Sequence, residues 1–363
     1  MNVLDLARPE ILKLRPYVTA EQRAATVRLN ANEFPHAPPQ SPPAAHGDAL
    51  NRYPAIRPDA IEARLAALYR IAATRLLATR GSSEAIDTLL RAFCRPYTDN
   101  IVVTSPSFSM YRVYADLQAA DVLTVALDAG NDFALDPAAV VAACNAESKL
   151  IFLCSPNNPT GGLIPECDIL SIADARAGQS LVVVDEAYVE FSDRDSMAAR
   201  IGEYDNLVVL RTLSKAQALA GARCGAVLAS APIIDLLRRI APPYAFSTPA
   251  TTSVLRQLAQ TADDRQARLI DGIVAERERL REQLAGLDCV DRTWPSAGNF
   301  LLVRFHDLKA VQQALERAGI LIRPFSDAAL ANCARITIGT PPENNRLLAE
   351  LESAPVAEIR RCR

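Results

Sequence analysis

The chain has 363 residues, of which 50% are hydrophobic and 22% charged, and its 39 Lys and Arg against 42 Asp and Glu leave a formal net charge of −3. That balance provides no basic excess for a nucleic-acid backbone, and no apolar run approaches the roughly 18 residues of a membrane span. A length beyond about 250–300 residues predicts two domains, and an N-terminus with early acids and no apolar core predicts a cytoplasmic location.

Residues 1–45 read as an N-terminal arm that packs with the smaller domain, because the Pro-rich stretch PHAPPQSPP at 35–43 excludes a helix interior or a central strand. Residues 46–248 read as the large domain. Its short apolar runs are RLLATR near 75–80, IVVTSP at 101–106, VLTVAL at 122–127, KLIFLCSP at 149–156, LVVVDEAY at 181–188, NLVVLRTL at 206–213 and CGAVLAS at 224–230. Runs without polar alternation belong to strands covered on both faces, so the prediction is α/β: a three-layer α/β/α domain around a mostly parallel sheet of about seven strands. Helical periodicity fills the gaps at Ile56–Tyr69, Ser83–Phe93, Phe108–Ala119, Asp136–Asn145 and Glu166–Ala177. Residues 249–363 read as a smaller α+β domain. A long amphipathic helix carrying Leu269, Ile270, Ile273, Leu280 and Leu284 precedes strands at 299–305, 320–324 and 334–340, with a helix between the first two and another at the end.

The 8 cysteines are scattered without a CxxC pair, and the 3 histidines, His36, His46 and His306, lie far apart. Free thiols are therefore expected, and no metal cluster. Polar residues at the strand ends are more informative. ATRGSSEAID places Ser82 and Ser83 at a helix N-terminus, a cradle for a phosphate or simply an N-cap. CSPNNPTGG brings Asn157 and Asn158 to the next edge, or forms only a turn. Asp185 ends four aliphatic residues where open α/β sheets bind ligands, although an Asp there also serves as a cap. Tyr188 follows three residues later. RTLSKAQALAGARCG sets Lys215 and Arg223 around one turn with small, apolar neighbours, and burial beside another cation depresses a lysine pKa and makes an imine-forming amine plausible. Together these are the contacts pyridoxal phosphate needs: a lysine for its aldehyde, an anion for its pyridine nitrogen, donors for its ring oxygen and phosphate, and a flat side chain such as Phe108 over the ring.

The motifs NANEFP, NRYP, RGSSEAID, CSPNNPTGG, VVVDEAYVEF, RTLSKAQALAGARCG and RITIGT, in this order over residues 8 to 350, resemble those of histidinol-phosphate aminotransferases among the fold type I pyridoxal-phosphate enzymes. The resemblance implies that Lys215 carries the covalent link to the cofactor and moves the proton, that Asp185 pairs with the pyridine nitrogen, and that Asn157 and Tyr188 hold the ring oxygen. Ser82, Ser83, Thr212, Ser214 and Arg223 would hold the cofactor phosphate, joined by Tyr53 from the partner in a homodimer. Tyr17, Asn32, Asn157, Arg323 and Arg335 would form the substrate pocket. A guanidinium suits both the phosphate ester of histidinol phosphate and the carboxylate of glutamate, so the implied reaction exchanges an amino group between histidinol phosphate and 2-oxoglutarate, giving imidazole acetol phosphate and glutamate. Phe108 stands where the family usually has Tyr, and Arg323 is followed by Pro-Phe rather than the commoner Asp and polar residues. The rivals are an aminotransferase of another, aromatic, amino acid and a phosphothreonine-type decarboxylase.

Overall fold

All seven apolar runs of the large region become strands of a single sheet. The computed structural model describes residues 27–30, 32, 54–260 and 265–353. Strands are numbered in chain order. β1 is Val27–Arg28; β2 (Leu76–Thr79), β3 (Asn100–Ser105), β4 (Asp121–Ala126), β5 (Ser148–Cys154), β6 (Leu181–Asp185), β7 (Leu207–Thr212) and β8 (Gly225–Leu228) form the large sheet. Their order is β2-β8-β7-β6-β5-β3-β4. The pairs from β7 through β4 are parallel, and β8 runs antiparallel to both its neighbours.

Alternation along the strands sorts their side chains into two cores. Ile151, Leu153, Val182, Val184, Leu207 and Val209 join one cluster, covered by Ile61 and Leu65 of helix Asp59–Leu68 and Ile169 and Ile172 of helix Glu166–Ala175. Leu150, Phe152, Cys154, Val183, Val208 and Leu210 join the other, covered by Ile86 and Leu89 of helix Ser82–Phe93 and Tyr111 of helix Met110–Gln118. The same alternation puts Asp185 and Thr212 on the second face and Arg211 on the first. β4 departs from the sequence expectation. VLTVAL reads as covered on both faces, but β4 is an edge strand, mostly open to solvent. The helix expected from Ile56 begins at Asp59, because Pro58 biases Arg57 away from helical backbone.

The second sheet is antiparallel, in the order β12-β13-β10-β9: β9 (Val290–Thr293), β10 (Phe300–Phe305), β12 (Arg323–Pro324) and β13 (Cys333–Thr337). The single strand expected at 320–324 is divided, since β11 (Ile320–Leu321) turns away to pair in parallel with β1. Helices Arg265–Ala285, Leu308–Arg317 and Pro341–Glu352 cover this sheet, the last started by a capping box between Thr340 and Glu343. Ala187, Tyr188 and Ala216, from the loops after β6 and β7, are buried in the core of this second sheet. The strand ends of the large sheet thereby face the small one. No helix among the described residues is long and apolar enough to cross a membrane.

Candidate active site

Four strand ends meet in one crevice. The winding of the sheet reverses between β3 and β5, since β3 leads to β4 on one side and β4 returns to β5 on the other. Such a switch point opens a crevice at the C-terminal ends of the strands. Asn157, just past β5, bridges it: Nδ2 donates to the Pro106 carbonyl at 2.9 Å and to Thr160 Oγ1 at 2.8 Å, and Oδ1 accepts from Ser107 Oγ at 2.8 Å. Both amide hydrogens of Asn157 therefore meet protein acceptors.

Asp185 is 2% exposed at the end of β6. Oδ2 accepts from the Tyr111 hydroxyl at 2.8 Å and Oδ1 from the Ala187 amide at 3.1 Å. Burial raises its carboxyl to about 6, against the opposing pull of these two donors and the Lys215 charge. Tyr111 stacks on Phe152 at 4.7 Å and 14°, and Phe108 meets it edge-on at 5.5 Å. Lys215 is half-buried, with Nζ 5.6 Å from the centre of the Tyr188 ring. Tyr188 Oη accepts from Asn32 Nδ2 at 3.3 Å and Asn158 Nδ2 at 3.4 Å, so its own hydrogen is left to donate. Burial pushes that phenol up to about 12, which keeps it protonated.

The anion cradle depends on two glycines. Gly81 precedes helix Ser82–Phe93 with φ +83°, and a Cβ there would lie 2.6 Å from Arg223 Nη2. At Gly225 a Cβ would lie 2.7 Å from the Arg211 carbonyl and 2.9 Å from the Gly81 carbonyl carbon. Hydrogen at these positions lets the Arg223 guanidinium lie against the turn that starts the helix, a helix with no side-chain N-cap bond. Arg223 Nη1 reaches Ser214 Oγ at 3.4 Å, and Thr212 Oγ1 donates to Ser214 Oγ at 3.0 Å. Ser82 and Ser83 occupy the first turn of that helix.

Across the crevice, Arg335 on β13 is 9% exposed and lies over the Phe300 ring at 5.6 Å. Its Nη1 donates to Asn158 Oδ1 in a close contact and its Nη2 to the Asn30 carbonyl at 3.3 Å. Arg323 is half-buried on β12, its Cα opposite that of Arg335. Thr337 Oγ1 accepts from the Asn32 amide and donates to Asn32 Oδ1, each at 2.8 Å, while Asn299 Nδ2 donates to the Asn32 carbonyl at 3.1 Å. Tyr17 and Tyr53 lie outside the described residues.

The structure thus brings Ser82, Ser83, Phe108, Asn157, Asp185, Tyr188, Thr212, Ser214, Lys215, Arg223, Asn32, Arg323 and Arg335 to facing strand ends and loops. Sequence reasoning missed Tyr111, Asn299 and Thr337. Phe108 stands two residues before helix Met110–Gln118 and Tyr111 in its first turn, and the two rings meet edge-on; a second aromatic three residues after Phe108 was the signal for Tyr111. Also unforeseen is the ion cluster behind the crevice: Arg211, 6% exposed, bonds Glu190 at 2.7 Å and Glu186 at 3.4 Å and covers the Tyr69 ring at 4.5 Å.

These groups fit pyridoxal phosphate. A helix start without a side-chain N-cap, with Arg223 and Ser214 beside it, is a donor set for a phosphate, and a buried carboxylate whose neutral donors are Tyr111 and Ala187 suits a cationic ring nitrogen.

The family model for class I and II aminotransferases matches residues 24–351. A histidinol-phosphate aminotransferase from Xylella fastidiosa is 46% identical over 357 residues, covering 96% of each chain. One from Stenotrophomonas maltophilia is 44% identical over 361 residues, covering 98% of each. Among solved structures, histidinol-phosphate aminotransferase from Sinorhizobium meliloti in complex with pyridoxal-5'-phosphate superposes with a TM-score of 0.85 at 24% identity, over 97% of this chain and 98% of that one.

Proposed function

Since the chain belongs to the class I and II aminotransferases, in the histidinol-phosphate aminotransferase family, we propose that it transfers the amino group of L-histidinol phosphate to 2-oxoglutarate in histidine biosynthesis. The observation that carries the reading is the meeting of three chemistries in one crevice: the Gly81–Arg223 anion cradle, the buried Asp185 with Lys215 near it, and Arg335 on the opposite wall. Bound pyridoxal phosphate supplies an electron sink that makes the hydrogen on the substrate's amine-bearing carbon acidic.

The residues of the chain do the rest. Ser82, Ser83, Thr212, Ser214 and Arg223 would hold the phosphate, and Asp185 the ring nitrogen. Lys215 would anchor the cofactor and then, displaced by substrate, move the proton at the amine-bearing carbon. The protonated Tyr188 would donate to the ring oxygen. Asn157 can join it only by giving up its bond to Pro106 or Thr160. Phe108 would cover the ring with an apolar face. Arg335, fixed by Asn158 and Asn30, would grip the phosphate ester of one substrate and the carboxylate of the other, with Arg323, Asn32 and Tyr17 completing the pocket. Tyr53 would reach the phosphate from the second subunit of a homodimer in the cytoplasm. The large domain of this reading is 46–248, the small one 249–363, with 1–45 as the arm.

The test is turnover with 2-oxoglutarate, offering histidinol phosphate and phenylalanine in parallel, with Lys215→Ala as control. Glutamate formation from histidinol phosphate, and loss in Lys215→Ala of both turnover and the visible absorbance of lysine-bound cofactor, are expected. Preference for phenylalanine, or CO2 release without a keto product, would replace the reading by one of its rivals.

A further inference from the structure

The carboxylate at the end of β6 is held by a residue outside the roles assigned so far. Tyr111 is 1% exposed, and its ring is fixed by the parallel Phe152 at 4.7 Å and the edge of Phe108 at 5.5 Å. With the ring held there, the hydroxyl donates to Asp185 Oδ2 at 2.8 Å. Cys154 is the register partner of Asp185 on the adjoining strand, equally buried, and offers a neutral thiol. Among the described residues, the ionisable groups facing Asp185 are thus Tyr111, Cys154, Tyr188 and, as the one cation acting on it, Lys215.

We propose that Tyr111 is a positioning residue whose hydroxyl keeps Asp185 anionic and so keeps the shared proton on the nitrogen of the bound cofactor. This rests on the pyridoxal-phosphate reading above. A buried carboxylate deprived of a donor becomes the better base, so without the hydroxyl the proton moves from the ring nitrogen to Asp185 and the electron sink weakens. Phe108 cannot substitute, having no polar atom. The ring of Tyr111 belongs to the hydrophobic core, whereas its oxygen serves the site.

Two measurements on the full chain test this. In the cofactor-free protein, the titration of the Asp185 carboxyl, followed by carbon-13 NMR, should move up by about one to two pH units in Tyr111→Phe, equivalent to about 10- to 100-fold in its proton equilibrium. Phe152→Leu, which loosens the packing but keeps the hydroxyl, should shift it far less. In the loaded protein, the resonance of nitrogen-15 in the labelled pyridine ring should move toward its unprotonated position in Tyr111→Phe. An unmoved Asp185 titration, an equal shift in Phe152→Leu, or an unmoved ring nitrogen would each overturn the proposal. Failure of the wild type to bind pyridoxal phosphate would instead remove the cofactor reading, and the role proposed for Tyr111 with it, while the carboxyl titration would still report the Tyr111–Asp185 bond.

Discussion

The substitution Asp185→Asn should change how the stability of the cofactor-free protein depends on pH. Burial raises the Asp185 carboxyl from 3.8 to about 6. Between these values the folded protein retains a proton that the unfolded chain has released, so the contribution of Asp185 to stability falls as pH rises. It is fully present below 3.8 and fully lost above about 6. A rise of about two pH units at about 1.4 kcal/mol each makes the loss about 3 kcal/mol. The amide of the variant would keep the shape of the side chain and carry no charge at any pH. Urea unfolding of both proteins without cofactor, at pH values on either side of that window, gives a difference in which the other titrating groups cancel. The variant should gain about 3 kcal/mol relative to wild type on crossing from the acid to the neutral side. A difference that stays constant with pH would refute the reasoning, because Asp185 would then be ionised in the folded protein as easily as in the unfolded chain. Adding pyridoxal phosphate should reverse the order near neutral pH, where the wild-type anion gains a cationic partner and the amide does not.

Gly81→Ala forces a side chain onto a φ of +83° and into the Arg223 guanidinium. Titration with pyridoxal phosphate should show at least about tenfold weaker binding, with a stability loss of about 1–3 kcal/mol in thermal unfolding. Arg335→Met removes the guanidinium that spans Asn158 and Asn30, and kcat/KM for histidinol phosphate should fall about 10- to 100-fold with little change in cofactor affinity. Arg335→Lys should recover only part of this loss, because an ammonium lacks the planar fork.

Much of this arrangement could be read in the sequence for a physical reason. β5, β6 and β7 are central, so apolar residues cover both faces of each strand, and the polar residues at or just beyond the end of each run mark the ligand edge: Asn157, Asp185 and the turn to Lys215. β4 escaped because an edge strand can carry an apolar sequence while facing solvent. β9, VDRT, has no apolar signature, since it too lies at an edge and only Val290 is buried. The division of 320–324 between two sheets depends on partners that periodicity does not encode. Tyr111 has the sequence surroundings of an ordinary core aromatic, and its role follows from a carboxylate 74 residues away.

The bonds that fix Asn32 join residues 305 positions apart in the chain. Asn32 is made 305 residues before Thr337, so an emerging polypeptide can complete β2 through β8, with Asp185 and Lys215 in place, long before β13 exists. Contacts of such sequence separation close late, after local structure has formed. Chain order thus becomes assembly order: the wall of the crevice that holds Asn32, Thr337 and Arg335 closes only after the large sheet is complete, and the Lys215 amine does not face a finished pocket until β13 has joined it.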